Sequence, residues 1–319
     1  MAAFTSFQPE LPPALPAAHH TLAGRAGRLG YYVGGDGPPL LLVHSINAAG
    51  SAYEVKPIFE HMVHRHRTYA LDLPGFGTSD RSDRRYEPAL YVAAIHDLLD
   101  TIAADVGPEP IDALAVSLGS EFLARAATER PERVRSLALV TPTGFSRTYA
   151  ALQGAQPGGT REVPGLYRFF TVPLWSQAFY DLLVSRRSIR YFLQRTFGSK
   201  TIDEGLLAYD YLTAHQPGAR NAPYAFVSGR LFSRDIQSVY QRLQIPVWVP
   251  HATRGDFKDF SAAGWTASRP NWQLQPYDTG ALPHFERPQQ FLADYDRFLA
   301  DIAAAQPGSP PSEPRSPSP

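Results

Sequence analysis

The sequence contains no cysteine, and this absence excludes several kinds of chemistry. Without a thiol the chain has no disulfide framework, no thiolate zinc site, no iron–sulfur cluster and no cysteine nucleophile. Any nucleophile must therefore be an oxygen or a nitrogen. Net charge is lacking as well, because 30 lysines and arginines balance 30 aspartates and glutamates. A neutral chain has no global field to attract nucleic acid or an anionic membrane, so we expect neither partner.

Long apolar runs are also missing from this sequence. Nowhere does it hold the ~18 consecutive apolar residues that a membrane-spanning helix needs. Residues 1–25 carry prolines where a signal peptide needs an unbroken apolar run, so we interpret them as a Pro-rich leader of a cytoplasmic protein. The last residues, 306–319, read QPGSPPSEPRSPSP and predict a disordered Pro/Ser tail, to which we assign no function.

Between these ends, short apolar runs alternate with longer amphipathic segments. The apolar runs are typical of buried strands, and the longer segments have helical spacing. Strand and helix in regular alternation favour a parallel α/β sheet with helices on both faces. The predicted strands are residues 40–46, 68–73, 111–116 and 134–141, and the predicted helices are 51–64, 88–106 and 119–129.

The strand rhythm stops between residues 145 and 235, a region rich in aromatic and apolar residues at helical spacing. It resumes with predicted strands at 245–250 and 272–277 and a closing helix at 288–304. Neither flank completes a sheet alone. The sequence therefore predicts one core, made of residues 26–144 and 236–305, interrupted by a helical lid at 145–235.

One short segment, Ala115-Val116-Ser117-Leu118-Gly119, carries the first chemical signal. It lies directly after an apolar strand and before a helix, as the strand-turn-helix called the nucleophile elbow does. The serine backbone in such a turn is strained and neighbouring chains pass close to it, which leaves room only for small flanking residues. By itself the string is also consistent with a serine that caps a helix.

Other segments, in order along the chain, resemble the α/β-hydrolase fold superfamily. His44-Ser45-Ile46-Asn47 resembles its His-Gly-x oxyanion turn, and residues 71–80, LDLPGFGTSD, resemble its Asp-x-Pro-Gly-x-Gly-x-Ser segment. Residues 131–140 and 285–291 resemble the stretch after the elbow helix and the C-terminal signature. The resemblance implies a mostly parallel sheet of about eight strands flanked by helices, with a helical lid inserted after the sixth strand. It also implies acyl transfer to water without a metal or an organic cofactor.

The histidine implied by this resemblance is displaced. The family usually shows Gly-His-x-Pro-His-x-Glu-x-Pro, whereas residues 280–288 read GALPHFERP, with Ala281 in the usual catalytic slot and His284 in the second one. Either the loop is rearranged so that His284 reaches Ser117, or the base has been lost and the fold serves another purpose. We favour His284 as the base, because it is the histidine in the expected loop. His251 is the best substitute.

The resemblance places the acid after the strand at 245–250 and before the base. The loop there reads HATRGDFKD, in which Asp256 follows a glycine and is the favoured acid. Asp259 is the alternative. Capping of the following helix is the competing role for either aspartate.

The implied mechanism is that of a serine triad. His284 takes the proton of Ser117 as its oxygen attacks a carbonyl, Asp256 fixes the imidazole tautomer, and water resolves the acyl-enzyme. Backbone amides of Ile46 and Leu118 would form the oxyanion hole, to which Asn47 would add a side-chain donor or simply close the turn.

Serine at the elbow argues against dehalogenases and epoxide hydrolases of this fold, which use aspartate. It does not separate esterases from lipases, peptidases or carbon–carbon bond hydrolases. Because the predicted lid is aromatic, we expect a carboxylesterase-like hydrolase of a small apolar ester or related carbonyl substrate. The alternatives are a ligand-binding pseudoenzyme, motivated by Ala281, and a cofactor-free lyase or haloperoxidase.

Overall fold

The computed structural model describes residues 9–151 and 158–305, which are built around one eight-stranded sheet. The strand order is β1-β2-β4-β3-β5-β6-β7-β8. β2 pairs antiparallel with β1 and β4, and every other pair is parallel. The predicted, mostly parallel α/β sheet is thus confirmed. The strands are β1 Ala18–Gly24, β2 Gly27–Gly34, β3 Pro39–Val43, β4 Arg67–Leu71, β5 Ile111–Val116, β6 Val134–Val140, β7 Val247–Ala252 and β8 Trp272–Tyr277.

The central strands explain why the sequence shows continuous apolar runs rather than alternation. All residues of β5 are buried, and so are four of the five residues of β3, because helices cover both faces of the sheet. Trp248 of β7 is fully buried and stacks on Tyr295 of the closing helix. The core therefore consists of two apolar layers, one on each side of the sheet.

Helices connect the strands and also form a block after the sixth strand. The segment between β6 and β7 holds α4 to α9, followed by α10, so a block of helices follows the sixth strand. The helices are α1 Lys56–Met62, α2 Pro88–Val106, α3 Gly119–Glu129, α4 Arg147–Ala150, α5 Leu166–Phe170, α6 Ser176–Leu183, α7 Arg186–Phe197, α8 Glu204–Ala214, α9 Asn221–Val227, α10 Ile236–Arg242, α11 Pro283–Glu286 and α12 Pro288–Ala304.

The boundary of the leader at residue 25 needs correction. β1 begins at Ala18 and pairs with β2 in a hairpin that closes at Gly24 and Gly27, so the sheet starts inside the predicted leader. The sequence hides this strand because it lies at the sheet edge and exposes nearly all of its side chains. Leu15 is also buried in the core. Residues 1–8 and the predicted tail at 306–319 lie outside the described residues.

The Asp-Leu-Pro-Gly-Phe-Gly segment is a loop organised by one buried carboxylate. Asp72 accepts hydrogen bonds from the Thr78 backbone N–H at 2.8 Å and from its hydroxyl at 2.9 Å. It also accepts the Ala52 N–H at 2.8 Å, which ties the loop to the 3-10 helix Ala52–Val55. Gly77 has φ 50, and a Cβ there would lie 2.0 Å from Asp72 Cγ. The glycine at this position is therefore required by the packing of the carboxylate.

This packing gives a first testable expectation. Gly77→Ala should lower the free energy of unfolding by about 3 kcal/mol, because the methyl group collides with the Asp72 carboxylate. Gly107→Ala is the matched control, since its φ is 103 and no atom lies within 4 Å of the added Cβ. Backbone strain alone would make Gly107→Ala lose more stability than Gly77→Ala, because alanine adopts a φ of 103 less readily than a φ of 50. Urea unfolding of both variants decides the matter, and a smaller loss for Gly77→Ala contradicts the packing argument.

Candidate functional site

Ser117 lies at the turn between β5 and α3 in a conformation that non-glycine residues rarely adopt. Its φ is 50, and its N–H donates to the Val140 carbonyl at 2.8 Å. A Cβ on Gly119 would lie 2.4 Å from the carbonyl oxygen of His44, so the end of β3 passes directly over the turn. The sharp strand-turn-helix that the motif predicts is present, and it holds Ser117 at the carboxyl edge of the sheet.

His44 orients the loop that follows β3. Its Nδ1 lies 2.5 Å from the Ser45 carbonyl, and the Leu73 N–H donates to its Nε2 at 2.9 Å. Because a carbonyl only accepts, Nδ1 carries the proton and the ring is fixed in one neutral tautomer. Burial lowers the pKa of His44, which favours the same neutral form. His44 is therefore a structural support of this loop.

Glu54, in the 3-10 helix Ala52–Val55, also fixes the loop that follows β3. Its carboxylate accepts the Ser45 N–H at 2.8 Å and the Asn47 side-chain amide at 2.5 Å. Asn47 thus closes the turn. In the described part of the chain, the backbone amides of Ile46 and Leu118 have no hydrogen-bond acceptor. Both are free to bind a ligand oxygen.

Ser117 opens into a narrow, mostly apolar cavity of about 100 Å³. A larger cavity of about 590 Å³ adjoins it and shares Asn47, Leu193, Thr196, Phe226 and Phe257 with its lining. Helices α7, α8 and α9 contribute to these walls, so the helical insertion covers the serine. The apolar residues that line the smaller cavity include Val116, Leu193, Leu206, Phe226, Phe232, Phe257 and Leu282.

The structure does not bring His284 to Ser117. His284 lies in the single turn of α11, where its Nε2–H donates to the Glu54 main-chain carbonyl at 2.8 Å. The ring is fully buried, and burial lowers its pKa to about 4. It is therefore a neutral side chain that links α11 to the 3-10 helix. The expected role of His284 as the base is not supported by this position.

The favoured acid is also placed elsewhere. Asp256 forms an ion pair with Arg195 of α7 at 2.6 Å, and both side chains are largely exposed. The alternative, Asp259, accepts the Arg147 N–H at 3.0 Å and the Ser261 hydroxyl at 2.6 Å. His251, the substitute base, stacks on Phe260. None of these three residues lines the smaller cavity.

Ala281 stands in the position where the resemblance places the catalytic histidine, and it lies on the cavity wall. It lines the cavity with Ser117, whereas His284, three residues later, does not. The loop is held there because the Ala281 N–H donates to the Thr196 carbonyl at 2.8 Å and the Gly280 N–H donates to Glu286 at 2.6 Å. Among the described residues that line this cavity there is no histidine, and Glu54 is its acidic side chain.

A buried carboxyl group lies behind the serine turn and escaped the sequence analysis. Glu121 in the first turn of α3 is fully buried, and burial raises its pKa to about 7 despite three hydrogen bonds. It accepts the Thr143 hydroxyl at 2.5 Å, the Tyr149 hydroxyl at 3.2 Å and the Ser233 N–H at 2.9 Å. Thr143 lines the serine cavity. Glu121 therefore connects the elbow helix to residues near both ends of the helical insertion.

A signal for such residues does exist in the sequence. Glu121 and, in α8, Asp210 stand among apolar residues at helical spacing, on the faces that the helices bury. A charged residue on a buried face indicates a polar network or a site. Glu54 has no such signal, because its segment forms only one short 3-10 turn.

Comparisons with known proteins agree with this geometry. A family model described as alpha/beta hydrolase fold matches residues 38–165. The 2-(acetamidomethylene)succinate hydrolase of Mesorhizobium japonicum is 31% identical over 118 residues, which are 36% of this chain and 40% of that protein. An uncharacterized protein of Mycobacterium tuberculosis is 26% identical over 151 residues, or 47% of this chain and 38% of its own length. The chain spans about two fifths of the length of these curated relatives.

Solved structures extend the similarity over most of the chain. Carboxylesterase CesB from Bacillus subtilis has a TM-score of 0.66 at 18% identity, covering 89% of this chain and 92% of that one. This similarity indicates that the two chains share a fold. These similarities and the sheet topology show that the chain has the α/β-hydrolase fold.

Two further observations concern the described residues only. None of their helices is both long and apolar enough to cross a membrane. Nor do these residues bring together three or more histidine, aspartate or glutamate side chains in a group that would hold a metal ion.

The raised pKa of Glu121 gives a second expectation. The folded state keeps this proton up to about pH 7, whereas the unfolded chain releases it near 4.5. Stability from this group is therefore full below pH 4.5 and is lost as the pH rises to 7, by on the order of 2–3 kcal/mol.

Glu121→Gln keeps a neutral side chain at every pH and is the matched variant. We expect its Tm to exceed that of the wild type by an amount that grows from pH 5 to pH 7. Differential scanning calorimetry across this range measures the difference. A constant difference at all pH values would show that Glu121 is ionised in the folded protein.

Proposed function

We propose that this protein is a hydrolase in which Ser117 attacks the carbonyl of a small, apolar ester or related compound and forms an acyl-enzyme. The strained backbone of Ser117, with φ 50 at the floor of an apolar cavity, is the observation that carries this proposal. Strain of this kind persists only where the surrounding structure enforces it, and it concentrates at functional sites.

The oxyanion hole follows from the same turn. Ile46 and Leu118 line the cavity on either side of Ser117, and their amides are free. The loop that carries Ile46 is fixed by His44 and Glu54, so its N–H does not have to reorganise during the reaction. Donors arranged in advance for a developing oxyanion lower the barrier by about 3 kcal/mol each.

The step that this site supports least is the removal of the proton from the Ser117 hydroxyl. A histidine base contributes about 10²- to 10⁴-fold to such a reaction, and the imidazole of His284 is instead bonded to Glu54. For His284 and Asp256 to act as base and acid, the first would have to leave the Glu54 carbonyl and the second would have to leave Arg195. In the described conformation we therefore expect slow turnover that depends on the oxyanion hole.

The cavity suggests the class of substrate. Its walls are aliphatic and aromatic, and the helical insertion would act as a lid that excludes water from the serine. Similarity to a carboxylesterase and to a hydrolase of a substituted succinate supports hydrolysis of a carbon–heteroatom bond beside a carbonyl. An uncharged ester fits these walls better than an anion.

A second candidate is a binding protein without turnover. Ala281, on the cavity wall beside Ser117, favours it, because this is the wall on which the family carries its histidine. Such a protein would bind the same apolar carbonyl compounds and release them unchanged.

A fluorophosphonate probe, which reacts with activated serines, separates the two candidates. We expect the folded wild type to be labelled slowly at Ser117 and Ser117→Ala not to be labelled. Ser120→Ala is the matched control, because this buried serine lies three residues away and only bonds to the Ala115 carbonyl. Mass spectrometry of the intact protein and its peptides gives the site. A folded wild type that takes no label would leave binding without turnover as the function.

The same probe tests the missing base. Ala281→His returns an imidazole to the cavity wall, and we expect labelling and p-nitrophenyl ester hydrolysis to rise by about 10-fold or more. His284→Ala should lower stability, since a buried hydrogen bond is lost, but labelling of the folded fraction should change little. The opposite pattern, with no gain from Ala281→His and severe loss from His284→Ala, would make His284 the base after rearrangement.

A further inference from the structure

Asp210 is a buried acid that neither the sequence analysis nor the mechanism above uses. It lies on α8 within the helical insertion and lines the larger cavity, of about 590 Å³, that adjoins the serine cavity. The two cavities share five lining residues. A ligand that reached from Ser117 to Asp210 would pass between these shared residues.

The carboxyl group of Asp210 lacks the partners that buried polar groups normally have. Its side chain is only 3% exposed, and Oδ1 is buried without a hydrogen-bond partner among the residues that the structure describes. A polar atom in this state costs free energy, so a native protein retains it where it serves a purpose.

The charge state of Asp210 follows from its burial and from a neighbouring carboxylate. Burial raises the pKa of Asp210 well above its usual range, and the Glu54 carboxylate raises it further. Arg195 and Asp256, which line the same cavity, form an ion pair with each other, and Arg195 also donates to the hydroxyl of Tyr191. Both effects favour the protonated form of Asp210, which can donate one hydrogen bond and accept others.

The surroundings of Asp210 restrict the rest of the ligand. The remaining wall of the larger cavity is mainly apolar and includes Leu183, Ile189, Phe192, Phe226 and Val227. Asn47 also lines it, but its side-chain amide is already bonded to Glu54 and its carbonyl oxygen accepts the Ala49 N–H. A ligand here is apolar along most of its length and polar where it meets Asp210.

We propose that Asp210 is a specificity-determining residue that exchanges hydrogen bonds with a hydroxyl group at the far end of an otherwise apolar carbonyl ligand. A hydroxyl matches a neutral carboxylic acid, because each group both donates and accepts. This inference rests on the proposed function only for the position of the ligand carbonyl at Ser117. The substrate class becomes a hydroxylated apolar ester rather than a plain alkyl ester.

The experiment measures binding rather than turnover, so that it remains valid if Ser117 proves unreactive. Ser117→Ala is titrated by calorimetry with methyl ketones of increasing chain length and with their ω-hydroxy counterparts. At the chain length that spans the two cavities, we expect the hydroxy ketone to bind about tenfold more tightly than the plain ketone.

Two substitutions, each added to Ser117→Ala, assign this preference. Asp210→Asn keeps a neutral donor and acceptor and should retain it. Asp210→Leu is similar in size and apolar, so it should abolish the preference while binding the plain ketone at least as well. The Tm of each variant reports folding, and we expect Asp210→Leu to be no less stable, because it removes an unpartnered buried group.

Three results would overturn the proposal. Equal affinity for both ketones at every chain length would show that Asp210 recognises no hydroxyl. A preference that survives in Asp210→Leu would assign it to another residue. Tighter binding of the ω-amino ketone, lost in Asp210→Asn, would show that Asp210 ionises and binds a cation instead. Failure of the proposed hydrolysis would appear separately, as a wild type that takes no fluorophosphonate label.

Discussion

Glu54 is the residue on which the geometry around the serine depends, because both its side chain and its main chain hold neighbouring groups in place. Its carboxylate fixes the loop after β3 through Ser45 and Asn47, while its main-chain carbonyl holds the ring of His284. The first contact fixes the loop of the Ile46 amide, which would receive an oxyanion. The second holds the histidine of the C-terminal loop in a hydrogen bond that does not involve the serine. One short 3-10 helix thus supports the loop of the proposed oxyanion hole and also binds the histidine that the sequence predicts as the base.

The helical insertion is joined to the core at the same place. α7 meets the C-terminal loop through the Ala281 N–H and the Thr196 carbonyl, and its Arg195 holds Asp256. A Cβ on Gly280 would lie 2.2 Å from the Thr196 carbonyl oxygen, so backbone packs directly on backbone. The two loops in which the resemblance places the base and the acid both contact α7 here, one through Ala281 and the other through Asp256. The helical insertion and the loops predicted to carry the base and the acid are therefore joined by a few contacts.

Much of the fold follows from the sequence, because parallel strands buried on both faces leave continuous apolar runs. β5 and β8 were predicted to the residue, as were α2 and α12. β1 was missed because an exposed edge strand has no such pattern. At the site, Ser117 and its turn follow from the small residues around them. The residue that would act as the base does not follow from the sequence in the same way. A shift of three residues, between positions 281 and 284, decides which side chain faces the cavity. The packing of α11 against Glu54 determines that shift. Asp210 and Glu121 are visible as charges on buried faces, but their protonation depends on tertiary contacts.

The neutral state of Glu121 has a consequence for the electric field at Ser117. The serine precedes the first turn of α3, where the peptide dipoles of that helix sum to a partial positive charge. An ionised glutamate in the first turn would cancel much of this charge. Because it is buried, Glu121 instead remains protonated up to about pH 7 and leaves the helix end positive. The helix is thereby able to attract a negative charge at the serine without any cationic side chain in the cavity.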